Sequence, residues 1–187
     1  KTARSHNHTP KVSTNADMGH TFARLGRVPY KRLIRFNKSG PIKPLGPGIT
    51  ITMVRAEHSS EVVSRDPKTK KRTVHPDGEP SGYIIRLEDG YTIYHAGDTG
   101  VFGDMKLIGE YYKPDFALLP IGGHFTMDPA HAAYAISKLL KVKNVIPMHY
   151  GTFGLLKGRP AHLVKALGGY PAKVIALNPG DKFAIGK

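Results

Sequence analysis

The chain has no cysteine among its 187 residues. Disulfide staples, thiolate nucleophiles and cysteine-ligated zinc are therefore excluded, while the redox compartment stays open. Long apolar runs are also missing: nothing approaches the roughly 18 consecutive apolar residues of a membrane span. The start is basic and polar, without the apolar stretch of a secretory signal. Acids are few, 14 Asp and Glu against 28 Lys and Arg. The first residue is Lys rather than Met, which leads us to expect a processed chain or a fragment. Internal repeats and low-complexity tracts are absent. What remains is 40% hydrophobic and long enough to bury a core, so a soluble domain is expected, with no membrane contact and an intracellular site, cytoplasmic or organellar.

The shortage of acids leaves a net charge of +14, unevenly spread. Residues 1–43 hold ten Lys or Arg against one acid, Asp17. A second cluster is Lys68, Lys70, Lys71 and Arg72. Such patches attract polyanions by neutralising phosphates and releasing counterions. The alternative is a basic, merely solvated surface. Arg24, Arg27, Lys31, Arg32 and Arg35, with the 68–72 cluster, are the candidate RNA-contacting residues.

Residues 1–15 read as a basic polar arm, extended or disordered, and residues 16–187 as the folded domain. Residues 16–27 allow a short helix ending near Gly26, and 43–48 are loop-rich. Alternation over Ile49–Val54 predicts a strand. Residues 61–80, charged and proline-bearing, read as a long surface loop. Tyr83–Leu87 and Tyr91–His95 are strands around an Asp89-Gly90 turn. Phe116–Ile121 reads as a buried strand. Asp128 can cap a helix opened by Pro129, with Ala132, Ile136, Leu139 and Leu140 on one face. Asn144–Met148 is a strand, Arg159–Leu167 a helix closed by Gly168-Gly169, and Lys173–Leu177 the last strand. Strands alternating with amphipathic helices imply crossover units and an α/β layer.

Residues able to do chemistry follow the strands. Ala56-Glu57-His58-Ser59-Ser60, His95-Ala96-Gly97-Asp98-Thr99-Gly100 and Pro147-Met148-His149-Tyr150 each place a His or Asp where a loop can aim it into a shared cleft. Imidazole and carboxylate suit zinc or a similar divalent ion, manganese included. Taken singly, each histidine reads more readily as a surface or satisfied core residue than as a ligand.

The segments AEHSS, YIIRLEDGYTIYHAGDTGVFGDM, LLPIGGHFTMDPAHAA and VIPMHYGTFGLL, in that order, make the chain resemble a bacterial family of metallo-β-lactamase-fold, metal-dependent hydrolases related to the ascorbate-phosphate lactonases. The resemblance runs from about residue 12 to the end. It implies a fold of α/β (α+β) class, a partial αββα sandwich with metals at one edge. By the resemblance, His58, Asp98 and His149 are metal ligands, with Asp98 bridging. His95 and Thr99 stand behind them, and His124 reaches the substrate or leaving group. His124 and His95 are thus the candidate catalytic residues. One departure matters: the family's His-x-His-x-Asp-His motif is absent. The nearest string, His6-Asn7-His8-Thr9-Pro10-Lys11, has Pro and Lys where Asp and His are required, so His6 and His8 are not assigned as ligands.

Two functions follow. One is metal-dependent hydrolysis of an ester, lactone or phosphoester, amides included. The other is a non-catalytic role as a structural or RNA-binding part of a ribonucleoprotein assembly such as an organellar ribosome. Either way, half a sandwich exposes a sheet face, which a second chain or an unseen N-terminal portion should cover. RNA or heparin binding is expected to weaken steeply with salt, by about one unit of log–log slope per neutralised phosphate. Changing Arg24, Arg27, Lys31, Arg32 and Arg35 to Ser should flatten that slope. Binding that ignores salt, or none at low salt, would remove the polyanion argument.

Overall fold

The structure is a computed structural model and describes residues 10–184. The expected arm at 1–9, with His6 and His8, lies outside the described residues. In chain order the elements are β1 (Val12–Asn15), α1 (Ala16–Arg24), β2 (Leu33–Phe36), β3 (Pro41–Ile42), β4 (Thr50–Arg55), β5 (Glu61–Arg65), β6 (Arg72–Pro76), β7 (Ser81–Arg86) and β8 (Thr92–His95). Then come α2 (Met105–Leu107), β9 (Phe116–Pro120), α3 (Pro129–Tyr134), β10 (Asn144–Met148), α4 (Pro160–Leu167) and β11 (Lys173–Val174). α2 and α3 run on as π-helical turns, Ile108–Tyr112 and Ala135–Leu140. No helix among the described residues is long and apolar enough to cross a membrane.

The chain divides into two compact units, residues 1–40 with 60–79, and residues 41–59 with 80–187. In the first, β1 pairs in parallel with β2, and β5 with β6 as an antiparallel hairpin. The expected boundary at residue 15 falls inside packed structure. Val12–Asn15 pairs with Leu33–Phe36, and the Asn15 side chain caps α1 by accepting from the Met18 amide at 2.9 Å. The loop expected over 61–80 is largely the β5–β6 hairpin. Asp66 makes the reversal, its Oδ1 accepting from the Lys68 and Thr69 amides at 2.8 and 2.6 Å. Those amide bonds hold its carboxyl below the usual carboxylate range.

The second unit is built on a seven-stranded mixed sheet in the order β11-β10-β9-β8-β7-β4-β3. β3, β4, β7 and β8 pair antiparallel, whereas β8 through β11 pair in parallel. Crossovers through α2, α3 and α4 link the parallel strands, as the strand–helix alternation predicts. Asp128 caps α3 as expected, Oδ1 accepting from the His131 amide at 2.8 Å. Gly168, at a φ of +56°, ends α4.

The sheet has two unlike faces. Val54, Ile84, Tyr94, Ala117, Leu119 and Val145 share one face through the strand registers and are buried. They pack in one core with Met105, Ile108, Ile136, Leu140 and Leu163 of the helical segments. On the other face Met53 and Phe116 are buried, but Ile51, Tyr83, Ile85, Ile93, Leu118 and Ile146 are apolar yet only half-buried. Neighbouring leucines report the difference. Leu119→Ala should cost about 2–5 kcal/mol, the usual penalty for emptying a packed core site. Leu118→Ala should cost clearly less. Urea denaturation of the two variants is the check, and equal losses would contradict the two-faced sheet.

Candidate active site

Strand direction decides what meets. β4 is antiparallel to β7, and β7 to β8, so β4 runs the same way as β8. β9 and β10 run parallel to β8. The C-terminal ends of β4, β8, β9 and β10 therefore share one edge. The segments after them carry His58, Asp98, His124 and His149.

Hydrogen bonds lock these loops together. The Glu57 amide donates to Thr99 Oγ1 at 2.9 Å, and the Gly100 amide donates to the Glu57 carbonyl at 2.8 Å. The Thr99 hydroxyl donates to the Gly100 carbonyl at 2.7 Å and is fully buried. The Met127 amide donates to the Thr99 carbonyl at 3.0 Å, which brings in the loop after β9. Gly97 makes the turn into Asp98 at a φ of +68°, where a Cβ would lie 2.4 Å from the Ser81 carbonyl oxygen.

The pair at the centre is Asp98 and His149, with Oδ2 and Nε2 3.6 Å apart. That is too long for a hydrogen bond. It is close to the roughly 3.4 Å that separates two ligands each about 2.0–2.2 Å from a tetrahedral zinc. His149 holds a left-handed φ of +53°, and its buried Nδ1 meets no partner among the described residues. A strained backbone that aims an otherwise unpaired imidazole fits a ligand better than a packing residue. The oxygen and nitrogen donors therefore fit a divalent ion. His58 is on the same edge, but its Nδ1 lies 2.9 Å from the Ser59 carbonyl oxygen. Among the described residues no three His, Asp or Glu side chains gather closely enough to hold an ion. Two of the three expected ligands are thus brought together, and the loop bearing His58 is tied to the Asp98 turn through Glu57, Thr99 and Gly100.

His95 bonds the turn that leads into Asp98. Its Nδ1 accepts from the Gly97 amide at 3.2 Å, which puts the proton of the neutral ring on Nε2. Burial pushes its pKa down, while a bond with its own backbone and the charge of Asp98 act the other way. The ring is thus neutral near pH 7 and steadies the turn that presents Asp98. His124 lies on the turn after β9, at a φ of +63° with its ring edge-on to Phe125 at 4.4 Å. It lines a cleft of about 450 Å³ with Gly122, Asp128, Leu155, Lys157 and His162.

Lys157 and His162 escaped the sequence reading. A signal existed, because a crossover helix starts at the C-terminal edge of the strand before it. Residues in the first turn of α4 are therefore placed at this edge. The cationic candidates are partly engaged elsewhere. Arg27 Nη2 donates to the Val63 carbonyl at 3.1 Å, and Arg32 Nε to that of Pro10 at 2.8 Å. Arg35 stacks on Tyr30 and contacts the His20 ring. Lys70 Nζ donates to the Pro67 carbonyl at 2.7 Å. Arg24 lies in the last turn of α1 and Lys31 in a 3₁₀ turn. Lys68, Lys71 and Arg72 are exposed on the hairpin.

Residues 4–150 match the β-lactamase superfamily domain. The chain is 55% identical over 166 residues to a metal-dependent hydrolase of Polaromonas sp., an alignment covering 89% of this chain and 60% of that protein. It is 52% identical over 173 residues to a metal-dependent hydrolase of Cupriavidus necator, covering 91% and 60%. The chain thus spans about three-fifths of the length of the curated relatives it matches. Among solved structures, a metallo hydrolase from the archaeon Ignicoccus hospitalis superposes with a TM-score of 0.73 at 37% identity, covering 91% of this chain and 66% of that one. An isothiocyanate hydrolase from Delia radicum gut bacteria shares the fold, with a TM-score of 0.66 at 15% identity, covering 97% and 72%.

Two threonines near this edge separate structural from incidental hydroxyls. Thr99→Val would orphan the Glu57 amide and should cost about 1–3 kcal/mol. The buried Thr126 Oγ1 has no partner among the described residues, so Thr126→Val should be close to neutral. Chemical denaturation of the two proteins checks this, and a neutral Thr99→Val would break the account of the loop lock.

Proposed function

The chain belongs to the β-lactamase superfamily, and on that footing we propose that it serves metal-dependent hydrolysis of an ester, lactone or phosphoester at the edge carrying Asp98 and His149. The observation that carries this reading is the facing of Asp98 Oδ2 and His149 Nε2 at 3.6 Å beyond the ends of two parallel strands. Asp98 and His149 would hold the divalent ion, zinc by the chemistry of the donors, with His58 the nearest further candidate. Such an ion, when bound, supplies an acidified water and polarises the scissile group. The chain's own residues do the rest. His95 keeps the Gly97–Asp98 turn in place. Thr99 ties that turn to the loop bearing His58. His124, in the adjoining cleft, is suited to contact the substrate or its leaving group. The half-exposed apolar face of the sheet fits a second β-layer, as an αββα sandwich would supply.

A second reading rests on one observation. The β5–β6 hairpin presents exposed Lys68, Lys71 and Arg72, and the acid among them, Asp66, is engaged by backbone amides. That arrangement supports contact with RNA or another polyanion alongside the hydrolytic role.

The ligand count sets the central test. With the His-x-His-x-Asp-His motif absent, the chain alone should bind at most one divalent ion, and weakly. It should also hydrolyse slowly, lacking the aspartate that would orient the water. General-base help of that kind is worth about 10²–10⁴-fold. Elemental analysis after metal loading should show the ion lost in both Asp98→Ala and His149→Ala. Metal content unchanged by these substitutions would refute the assignment. Two tightly held ions, or brisk hydrolysis abolished by Asp98→Ala, would show that other residues replace the missing motif.

A further inference from the structure

The cleft next to the Asp98–His149 pair is not accounted for by the metal chemistry. It opens between the turn after β9, the start of α3 and the start of α4. Its floor is fixed to the pair: a Cβ on Gly122 would lie 2.3 Å from the His149 carbonyl oxygen, so only glycine lets that turn press against His149. The Ile121 amide donates to the Met148 carbonyl at 3.0 Å, and the Gly158 amide to that of Gly122 at 3.1 Å. The turn after β9 thus joins the cleft to the segment bearing His149, within a single unit.

Basic side chains outnumber acidic ones among the residues lining the cleft. The Lys157 ammonium and the His124 and His162 rings face it, and none of the three side chains makes a hydrogen bond or ion pair among the described residues. The one acid among the lining residues, Asp128, is engaged through one of its two oxygens. Its Oδ1 accepts from the His131 amide at 2.8 Å and lies 3.1 Å from His131 Nδ1. Arg159 is partly engaged, its Nη1 donating to the Leu156 and Gly158 carbonyls at 3.0 and 2.8 Å. The rest of the surface is apolar. Leu155 forms part of the wall and is 47% exposed. Phe125 and Phe153, on the adjoining loops, are 52% and 50% exposed with ring centroids 6.3 Å apart. An open pocket with an apolar wall and a few convergent donors is the usual design of a small-molecule site.

We propose that this cleft is the substrate-recognition subsite for a small organic oxyanion, a carboxylate or phosphate group attached to an apolar or aromatic body. Lys157 is the fixed charge that meets the oxyanion, and the His124 and His162 ring N–H groups complete its donor set. Leu155, with Phe125 and Phe153, takes the apolar body. Cationic ligands are disfavoured because three basic side chains line the cleft against a single carboxylate, Asp128, one of whose oxygens is engaged by His131. Binding here places the remainder of the molecule beside His149, and in that sense the subsite rests on the hydrolytic reading above.

Isothermal titration of the protein, without added metal, with phenyl phosphate, benzoate and inorganic phosphate tests this directly. The aromatic anions should bind more tightly than inorganic phosphate, and the tighter of the two names the head group. Lys157→Gln should weaken every anion about tenfold or more, as expected for losing a charged hydrogen-bond donor. Leu155→Ser should weaken the aromatic anions and leave inorganic phosphate unchanged. Lys165→Gln, outside the cleft, should bind like the unaltered protein. Unchanged affinity in Lys157→Gln, or an equal loss in Lys165→Gln, would overturn the subsite. Should Lys157→Gln fail to fold, histidine ring resonances of the unaltered protein decide the matter. Those of His124 and His162 should shift on adding phenyl phosphate, and their staying put would overturn it too. Because binding is read without turnover, the two claims separate. An Asp98→Ala protein as active as the unaltered one would remove the hydrolytic reading and leave the binding result standing.

Discussion

The buried hydroxyl of Thr99 holds the candidate site together. It accepts from the amide after Ala56 and donates to the Gly100 carbonyl, so the loops leaving β4 and β8 cannot separate without orphaning a buried donor. The carbonyl of the same residue takes the Met127 amide and adds the loop leaving β9. Those loops leave one edge because the strands beneath them run in one direction. Asp98 is therefore presented on a turn braced from three sides, by Thr99, by the half-buried ring of His95 and by the close approach of Gly97 to Ser81. His149 meets it from β10 in a left-handed backbone conformation that few non-glycine residues adopt without reason. The cleft shares this frame, since its Gly122 floor lies against His149.

Much of the fold was legible because its signals are local. Asn144–Met148 is a strand with the expected bounds, and the Pro129 start with its Asp128 cap is where the capping pattern places it. The glycine stop after Leu167 holds as well. The hairpin at Glu61–Pro76 was hidden by composition. Its lysines and prolines read as loop, while Asp66 quietly supplied the turn and the β-branched Val62, Val63, Thr73 and Val74 supplied the strands. β1 was hidden for another reason. A four-residue strand beside a basic arm has no periodicity to show, and its partner, Leu33–Phe36, lies beyond an intervening helix. At the site, the sequence order of His58, Asp98 and His149 announced a common edge through the resemblance. The side-chain orientations, which bring Asp98 to His149 and turn His58 towards Ser59, are tertiary facts with no local trace. Lys157 and His162 became visible only once the crossover placed the start of α4 at that edge.

The same sheet ties architecture to what the chain lacks. One face is a dense helical interface, and the other is apolar but half-open. That asymmetry fits the second β-layer proposed above. An ion held by Asp98 and His149 is the claim on which the functional account turns. Anomalous diffraction from crystals grown with zinc would test it most directly. The account predicts one peak lying about 2.0–2.2 Å from both Asp98 Oδ2 and His149 Nε2. A peak elsewhere, with those two atoms facing each other across an empty gap, would contradict it.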